Sequence, residues 1–243
     1  MPRWRLRCWR VVYMEDKEAL VYGIFEKISH GYDSANTRIS MGMHHRWKRM
    51  LTDRLTEWTP GNGRLLDVCC GTGDIALESA RRRRDLEVTG LDFSPAMLRE
   101  AEDRGRDLKN IHFTRGSAME LPFEDNSFAA VSISFGLRNT ADYTRVLGEL
   151  RRVVNPGGMV YCLDSFVPEN RLIRPFYRLY FRYLMPLLGG VGSSVSSYRW
   201  LYQSTEDFVR RGELETLFRT VGLTEVHSES RMFGACVLVW GRA

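Results

Sequence analysis

From Arg64 to Phe166 the chain alternates short apolar runs with segments of helical character, and that rhythm restricts the fold more than any other feature. The runs are "RLLDVC", "LEVTGLD", "IHFTRG", "FAAVSISF" and "GMVYCLDSF", and helices are expected from Asp74, from Ser94-Pro95 and from Asp142. Strands that are apolar nearly throughout are buried on both faces, and consecutive parallel strands need a crossover helix. The pattern predicts an α/β fold, a mostly parallel sheet with helices on both faces, whose ligands bind beyond the carboxyl ends of the strands.

Ahead of the first strand, apolar residues recur at helical spacing over Lys17–Ile28 and over Trp47–Trp58, predicting two N-terminal helices. Beyond the alternation, "TEDFVRRGELETLFRTVGL" reads as helical, while "TEVHSESRM" and "GACVLVWGRA" read as an antiparallel hairpin turning at Phe233-Gly234. Residues 168–204 are aromatic, bear arginines and are too apolar for a simple loop, so they are expected to form helices that roof the site. At 243 residues the chain is expected to hold one domain, 14–243, with 14–59 as a helical lid and 168–204 as a helical insertion.

Composition removes several classes. A hydrophobic share of 44% beside 27% charged residues is that of an ordinary globular protein, and no apolar run reaches the roughly 20 residues a membrane span needs. The net charge is +5, but Arg3, Arg5, Arg7 and Arg10 supply four of those charges, which leaves the rest nearly neutral and argues against nucleic-acid binding. The leader over residues 1–13 lacks a signal-peptide core and reads as disordered, with a Trp-bearing anchor for anionic lipid as the alternative. The five cysteines are odd in number and form no paired CxxC spacing, so neither a disulfide framework nor a metal site is expected; a reducing cytoplasm fits.

The first strand ends in "LLDVCCGTGDIA", where Gly71-x-Gly73 would present backbone N–H groups and the positive end of a helix at the strand tip. A triphosphate loop would need Gly-Lys-Ser/Thr, and a dinucleotide fold a third glycine; here the loop carries Asp74 and continues Ile75-Ala76-Leu77. Asp67 and Asp74 flank it, a charge pattern that repels pyrophosphate and suits an ammonium or sulfonium. Asp92, about twenty residues on, stands where a carboxylate accepts ribose hydroxyls. Ser117 and Ala118 leave room for adenine after the third strand, and an acidic turn with Glu124 and Asp125 follows. Adenosylmethionine is therefore favoured over NAD. Cys69 and Cys70 read as small packing residues at the strand end.

Taken together, "LDVCCGTGD", "GLDFSPAML", "ELPFEDNSF", "SISFGLRN" and "LRRVVNPGG" resemble the adenosylmethionine-dependent ubiquinone/menaquinone C-methyltransferase family. "YDSANTRISMGMHHRWKRML" is similar to that family's amino-terminal signature and "SSYRWLYQSTEDF" to its distal one, with Ser34-Ala35 and Thr37 as departures. The resemblance implies a class I Rossmann-like methyltransferase with seven strands, and C-methylation of a prenylated quinol. The Cys-Cys loop looks more like the demethylmenaquinol-methylating members than the benzoquinol, ubiquinone-type members. It further implies a cytoplasmic enzyme, peripheral at the inner face of the plasma membrane, and permits a homodimer. By residue-level match, Thr72, Gly73, Asp92, Ser117, Ala118 and Ser134 are expected to contact the cofactor, with Asp67 and Gly71 as close supports.

Arg138 and Asn139, with Tyr32 from the first signature, are the implied reacting groups. A quinol hydroxyl titrates near about 10, like tyrosine, and its anion activates the adjacent ring carbon. Arginine keeps its proton, so Arg138 is expected to stabilise the phenolate rather than act as a base. His44 or His45 would either relay a proton or pack; His30, His112 and His227 read as structural. Phe176, Tyr177, Tyr180, Phe181, Tyr183 and Leu184 are candidates for the prenyl path, with Arg171, Arg174, Arg178 and Arg182 toward lipid head groups.

Overall fold

The computed structural model of the chain describes Val21, Gly23, Thr37, Ser40 and residues 42–181 and 195–243. Helix α1 (Met43–Trp58) leads into β1 (Arg64–Val68), α2 (Asp74–Arg82), β2 (Glu87–Asp92), α3 (Pro95–Gly105), β3 (Ile111–Arg115) and β4 (Phe128–Ser134). A 3-10 turn at Leu137–Asn139, α4 (Tyr143–Val153) and β5 (Val154–Ser165) complete the alternation. Then come α5 (Arg174–Leu179), α6 (Val195–Glu206), α7 (Arg211–Thr220), β6 (Thr224–Arg231) and β7 (Cys236–Arg242).

The seven strands are ordered β3-β2-β1-β4-β5-β7-β6. Strands β1 to β5 pair in parallel, and β7 runs antiparallel to β5 and β6. The order reverses between β1 and β4, so the crevice for a ligand opens over their carboxyl ends. Alternate residues of β1 feed opposite cores. Leu65 packs with Leu51 and Leu55 of α1 and Ile75 and Leu77 of α2, whereas Leu66 and Val68 pack with Val146, Leu147 and Leu150 of α4 and Leu214 and Phe218 of α7. Each fully buried leucine contributes about 1.5–3 kcal/mol over an exposed one, which fixes the register of β1 and hence where its tip lies.

The caps sit where the sequence puts them. Ser94 Oγ accepts the Met97 N–H at 3.3 Å, with Pro95 at the first helical position, and Asp142 accepts the Arg145 N–H at 3.0 Å. Other boundaries differ. Helix α1 starts at Met43, after Gly42 in the left-handed region, because His44 is itself buried and extends the packed face. The helical stretch expected over residues 205–223 is broken after Glu206, and α7 begins afresh with Glu213 accepting the Arg210 N–H at 2.7 Å. The hairpin turns through a 3-10 segment, Met232–Gly234. Of the helix expected over Lys17–Ile28, only Val21 and Gly23 are described, both helical. Among the described residues no helix is long and apolar enough to cross a membrane.

Candidate functional site

Two cavities open over the carboxyl ends of β1 and β4, and Cys69, Gly71, Ser134 and Phe135 line both. This shared wall is strained. Cys69 and Phe135, the residues just past β1 and β4, adopt φ of 55° and 54°, a region in which non-glycine residues cost free energy. Gly136 lets the two tips meet, since a Cβ there would stand 2.5 Å from the Cys69 Cβ. The following turn fixes the strain in place: Arg138 Nη1 and Asn139 Nδ2 both donate to the Phe135 carbonyl, at 2.9 and 3.2 Å.

The smaller cavity, about 170 Å3, is lined by Asp92, Phe93, Met97, Gly116, Ser117, Ala118 and Met119, and by Asn139. Asp92 ties its floor together: Oδ2 accepts the Gly71 N–H at 2.8 Å, Oδ1 accepts the Ser94 N–H at 2.9 Å, and its carbonyl accepts the Gly116 N–H at 3.0 Å. Burial pushes the Asp92 carboxyl above its ordinary value, opposed by the N–H groups of Ser94, Gly71 and Phe93. At Gly71, φ is +56° and a Cβ would meet nothing within 4 Å, so open space lies where a side chain would be. A carboxylate beside an apolar slot with a bare glycine edge fits the size and polarity of an adenosyl group.

The flanking acids do not act as the sequence suggests. Asp74 is neutralised by Lys48 and Arg104, each at 2.6 Å; burial alone would raise its carboxyl, but these two cations outweigh that and hold it at about 2. Asp125 pairs with Arg152 at 2.8 Å, and neither it nor Glu124 lines either cavity. Asp67 is fully buried beneath the loop, lines neither cavity, and accepts the Ser132 hydroxyl at 2.8 Å. Asp92 is therefore the carboxylate that lines the smaller cavity.

Burial raises the Asp67 carboxyl from 3.8 to about 7, with Ser132 and Lys48 opposing. Its folded value lies above its unfolded one, so the folded state holds the proton longer and the stability it contributes falls as pH climbs through that window. Asp67→Asn keeps an acceptor for Ser132 and removes the titration. Between about pH 4 and about pH 7 the wild type should lose on the order of 1–3 kcal/mol more than the variant in urea unfolding, and equal slopes would refute the assignment.

The larger cavity, about 320 Å3, is mostly apolar; its wall runs from His44, Trp47 and Lys48 of α1 past Thr72 and Arg138 to Phe176, Tyr177, Tyr180, Phe181 and Phe233. Arg138 is 5% exposed and forms a buried ion pair with Asp164, whose Oδ2 also accepts the Arg138 backbone N–H at 3.2 Å. Among the described residues, His44 Nε2 and Tyr177 Oη are buried polar atoms of this wall that have no hydrogen-bond partner. Ser40 Oγ holds the His44 Nδ1 at 2.7 Å; burial lowers the ring to about 4, helped by Lys48 and His45, so His44 is neutral near neutral pH. Burial likewise raises the Tyr177 hydroxyl and keeps it protonated.

The structure thus separates residues that the sequence placed together. Ser117, Ala118, Asp92 and Asn139 line the smaller cavity, Thr72 and Arg138 the larger, and Gly71 and Ser134 both. Gly73 lines neither; at φ +85° it starts α2, and a Cβ there would press on Ala101 and Leu77 at 3.1 Å. Tyr32, Tyr183, Leu184, Arg182 and His30 lie outside the described residues. His112 lies on β3, and His227 stacks on Trp240 with centroids 5.8 Å apart. Sequence reasoning missed Asp164, whose only signal was an acid at the end of an apolar strand, and Trp200, whose Nε1 donates to Asn139 Oδ1 at 3.1 Å and links the distal "YRWLYQ" segment to the "GLRN" turn.

Among solved structures, an S-adenosylmethionine-dependent methyltransferase from Thermotoga maritima shares the fold with a TM-score of 0.64 and 20% identity, over 91% of this chain and 99% of that one. Phosphoethanolamine N-methyltransferase 2 from Haemonchus contortus gives 0.58 and 22%, over 75% and 38%. Demethylmenaquinone methyltransferase from Bacillus licheniformis is 44% identical over 216 residues, 88% of this chain and 92% of that protein. Its counterpart from Bacillus subtilis is also 44% identical, over 89% and 94%. The family model takes in residues 13–243, hence every strand, both cavities and the "GLRN" turn between them, and the chain belongs to the ubiE/COQ5 methyltransferase family.

Proposed function

We propose that the chain transfers a methyl group from adenosylmethionine to a ring carbon of a prenylated quinol, turning demethylmenaquinol into menaquinol. The observation that carries this reading is the shared wall: an adenosyl-sized cavity and an apolar cavity meet at Cys69, Gly71, Ser134 and Phe135. A donor in one and a ring in the other would react there, and much of the rate gain would come from holding the two about 3–3.5 Å apart. The names of the Bacillus relatives support the naphthoquinol. We take residues 14–243 as one catalytic domain and place peripheral contact with the inner face of the plasma membrane in the same reading.

Adenosylmethionine supplies the methyl group as an electrophile. Asp92 accepts its ribose hydroxyls, Ser117 and Ala118 border its base, and Gly71, Thr72 and Ser134 stand at the junction. Asp67 and Gly73 support the loop from behind. Arg138, locked in orientation by Asp164, stabilises negative charge as the quinol hydroxyl loses its proton. Asn139 steadies Phe135 and, through Trp200, the roof. Neutral His44 and Tyr177 offer buried polar atoms of the apolar cavity to the ring oxygens. The quinol proton passes out to solvent, and after methyl transfer the ring carbon gives up its hydrogen as a proton that returns to the oxygen. This leaves the methylated quinol, adenosylhomocysteine and one released proton. Labelled methyl transfer measured side by side into demethylmenaquinol and a polyprenyl benzoquinol tests the reading. Labelled menaquinol is expected, with transfer to the benzoquinol at least about tenfold slower; no label in either ring removes the proposal.

A further inference from the structure

Six large apolar side chains stand exposed among the described residues, and five of them gather at the mouth of the larger cavity. Phe176 (73% exposed), Phe233 (75%) and Met232 (43%) line its rim. Leu172 (79%) and Leu179 (58%) flank Phe176 at spacings of four and three residues, so the three form one stripe along the α5 segment. Ile173, Tyr177 and Tyr180, offset by one position and hence about 100° around the helix, line the cavity. Arg171, Arg174 and Arg178 recur at spacings of three and four and make a third face. Arg178 pairs with Glu206 and Arg174 bonds the Pro168 carbonyl; Glu169 is the acid nearest in sequence.

We infer that this stripe, with Phe233 and Met232, is the surface on which the protein docks to an anionic lipid bilayer, so that the cavity opens directly into the hydrocarbon. This rests on the prenylated acceptor of the proposed function and locates where that acceptor enters. A monomer rarely leaves such a contiguous patch to water, and a basic face beside an apolar stripe is the pattern of a segment lying in a membrane interface. The continuity of the patch with the cavity wall favours lipid over a second copy of the chain. A tail could pass from the bilayer past Phe176 and Phe233 without crossing water, while Arg171, Arg174 and Arg178 meet head-group phosphates.

The full chain is to be co-sedimented with vesicles of phosphatidylcholine alone and of phosphatidylcholine with an equal part of phosphatidylglycerol. Binding to the anionic vesicles is expected to be at least about tenfold tighter and to weaken with salt. Leu172→Glu with Leu179→Glu, at positions that line neither cavity, should lower partitioning on the order of a hundredfold. Arg171→Glu should lower it about fivefold or more on anionic vesicles only. An unchanged melting temperature shows that the variants fold. Wild-type protein that ignores anionic vesicles, or Glu variants that bind as before, would overturn the inference, as would variants that turn a dimer into a monomer with vesicle binding intact. Vesicle binding is read without turnover, so it stands or falls apart from the methyl-transfer assay.

Discussion

Arg138→Ala is expected to lower turnover by about 10²–10³ while leaving adenosylmethionine affinity within about threefold, read by single-turnover methyl transfer and calorimetry. Arg138 lines the larger, apolar cavity and not the adenosyl-sized one, which is why the two measurements should part. A second effect accompanies the first. Asp164 is completely buried and paired with Arg138, so removing the guanidinium strands a carboxylate, a loss of about 3–5 kcal/mol. Slow turnover alone therefore does not separate a catalytic defect from unfolding. Arg138→Met combined with Asp164→Asn resolves this, because neither new side chain carries a charge that needs a partner. The double variant should regain most of the stability, seen in its urea midpoint, and stay as slow as Arg138→Ala. Turnover that returned with stability would reduce Arg138 to a structural cation and leave the phenolate without its stabiliser.

How far the chain could be read before folding depended on range. Local signals carried well: Ser94-Pro95 and Asp142 mark helix starts, because a cap needs only a few neighbouring residues. The parallel core was equally legible, since Leu65 and Leu66 must both be buried and only a sheet covered on two faces buries both. Charge was misread, because pairing is settled over long separations. Asp74 looks like a free acid beside a glycine loop until α1 brings Lys48 to one oxygen and α3 brings Arg104 to the other. Asp125 has the same history with Arg152. Arg138 and Asn139 are adjacent in sequence and were read as one reacting pair, yet a tight turn sends them to different cavities. The left-handed backbone at Cys69 and Phe135 had no sequence signal of its own; Gly136, which permits it, was visible only as part of a motif.

The remaining strong test concerns Asp92. It is the carboxylate lining the adenosyl-sized cavity, and its two oxygens already hold the Gly71 and Ser94 N–H groups. Each oxygen retains a lone pair for a ribose hydroxyl, and a hydrogen bond to a charged acceptor is worth about 1.5–3 kcal/mol. Asp92→Ala removes both and frees the Gly71 N–H, so adenosylmethionine affinity should fall on the order of 10²–10³. The design of the measurement lies in the second ligand. Adenosylhomocysteine has the same ribose and no sulfonium charge, so if Asp92 acts through the diol, calorimetry will show both ligands weakened by equal factors. If Asp92 acts instead by attracting a positive sulfur across the cavity, adenosylmethionine will lose far more than adenosylhomocysteine, and the sugar would have to be held elsewhere. Asp92→Asn separates charge from shape: one amide oxygen remains to accept, and its affinity should fall between those of the wild type and Asp92→Ala for both ligands alike. Wild-type affinity in either variant would show that the cavity lined by Asp92 is not the adenosyl site.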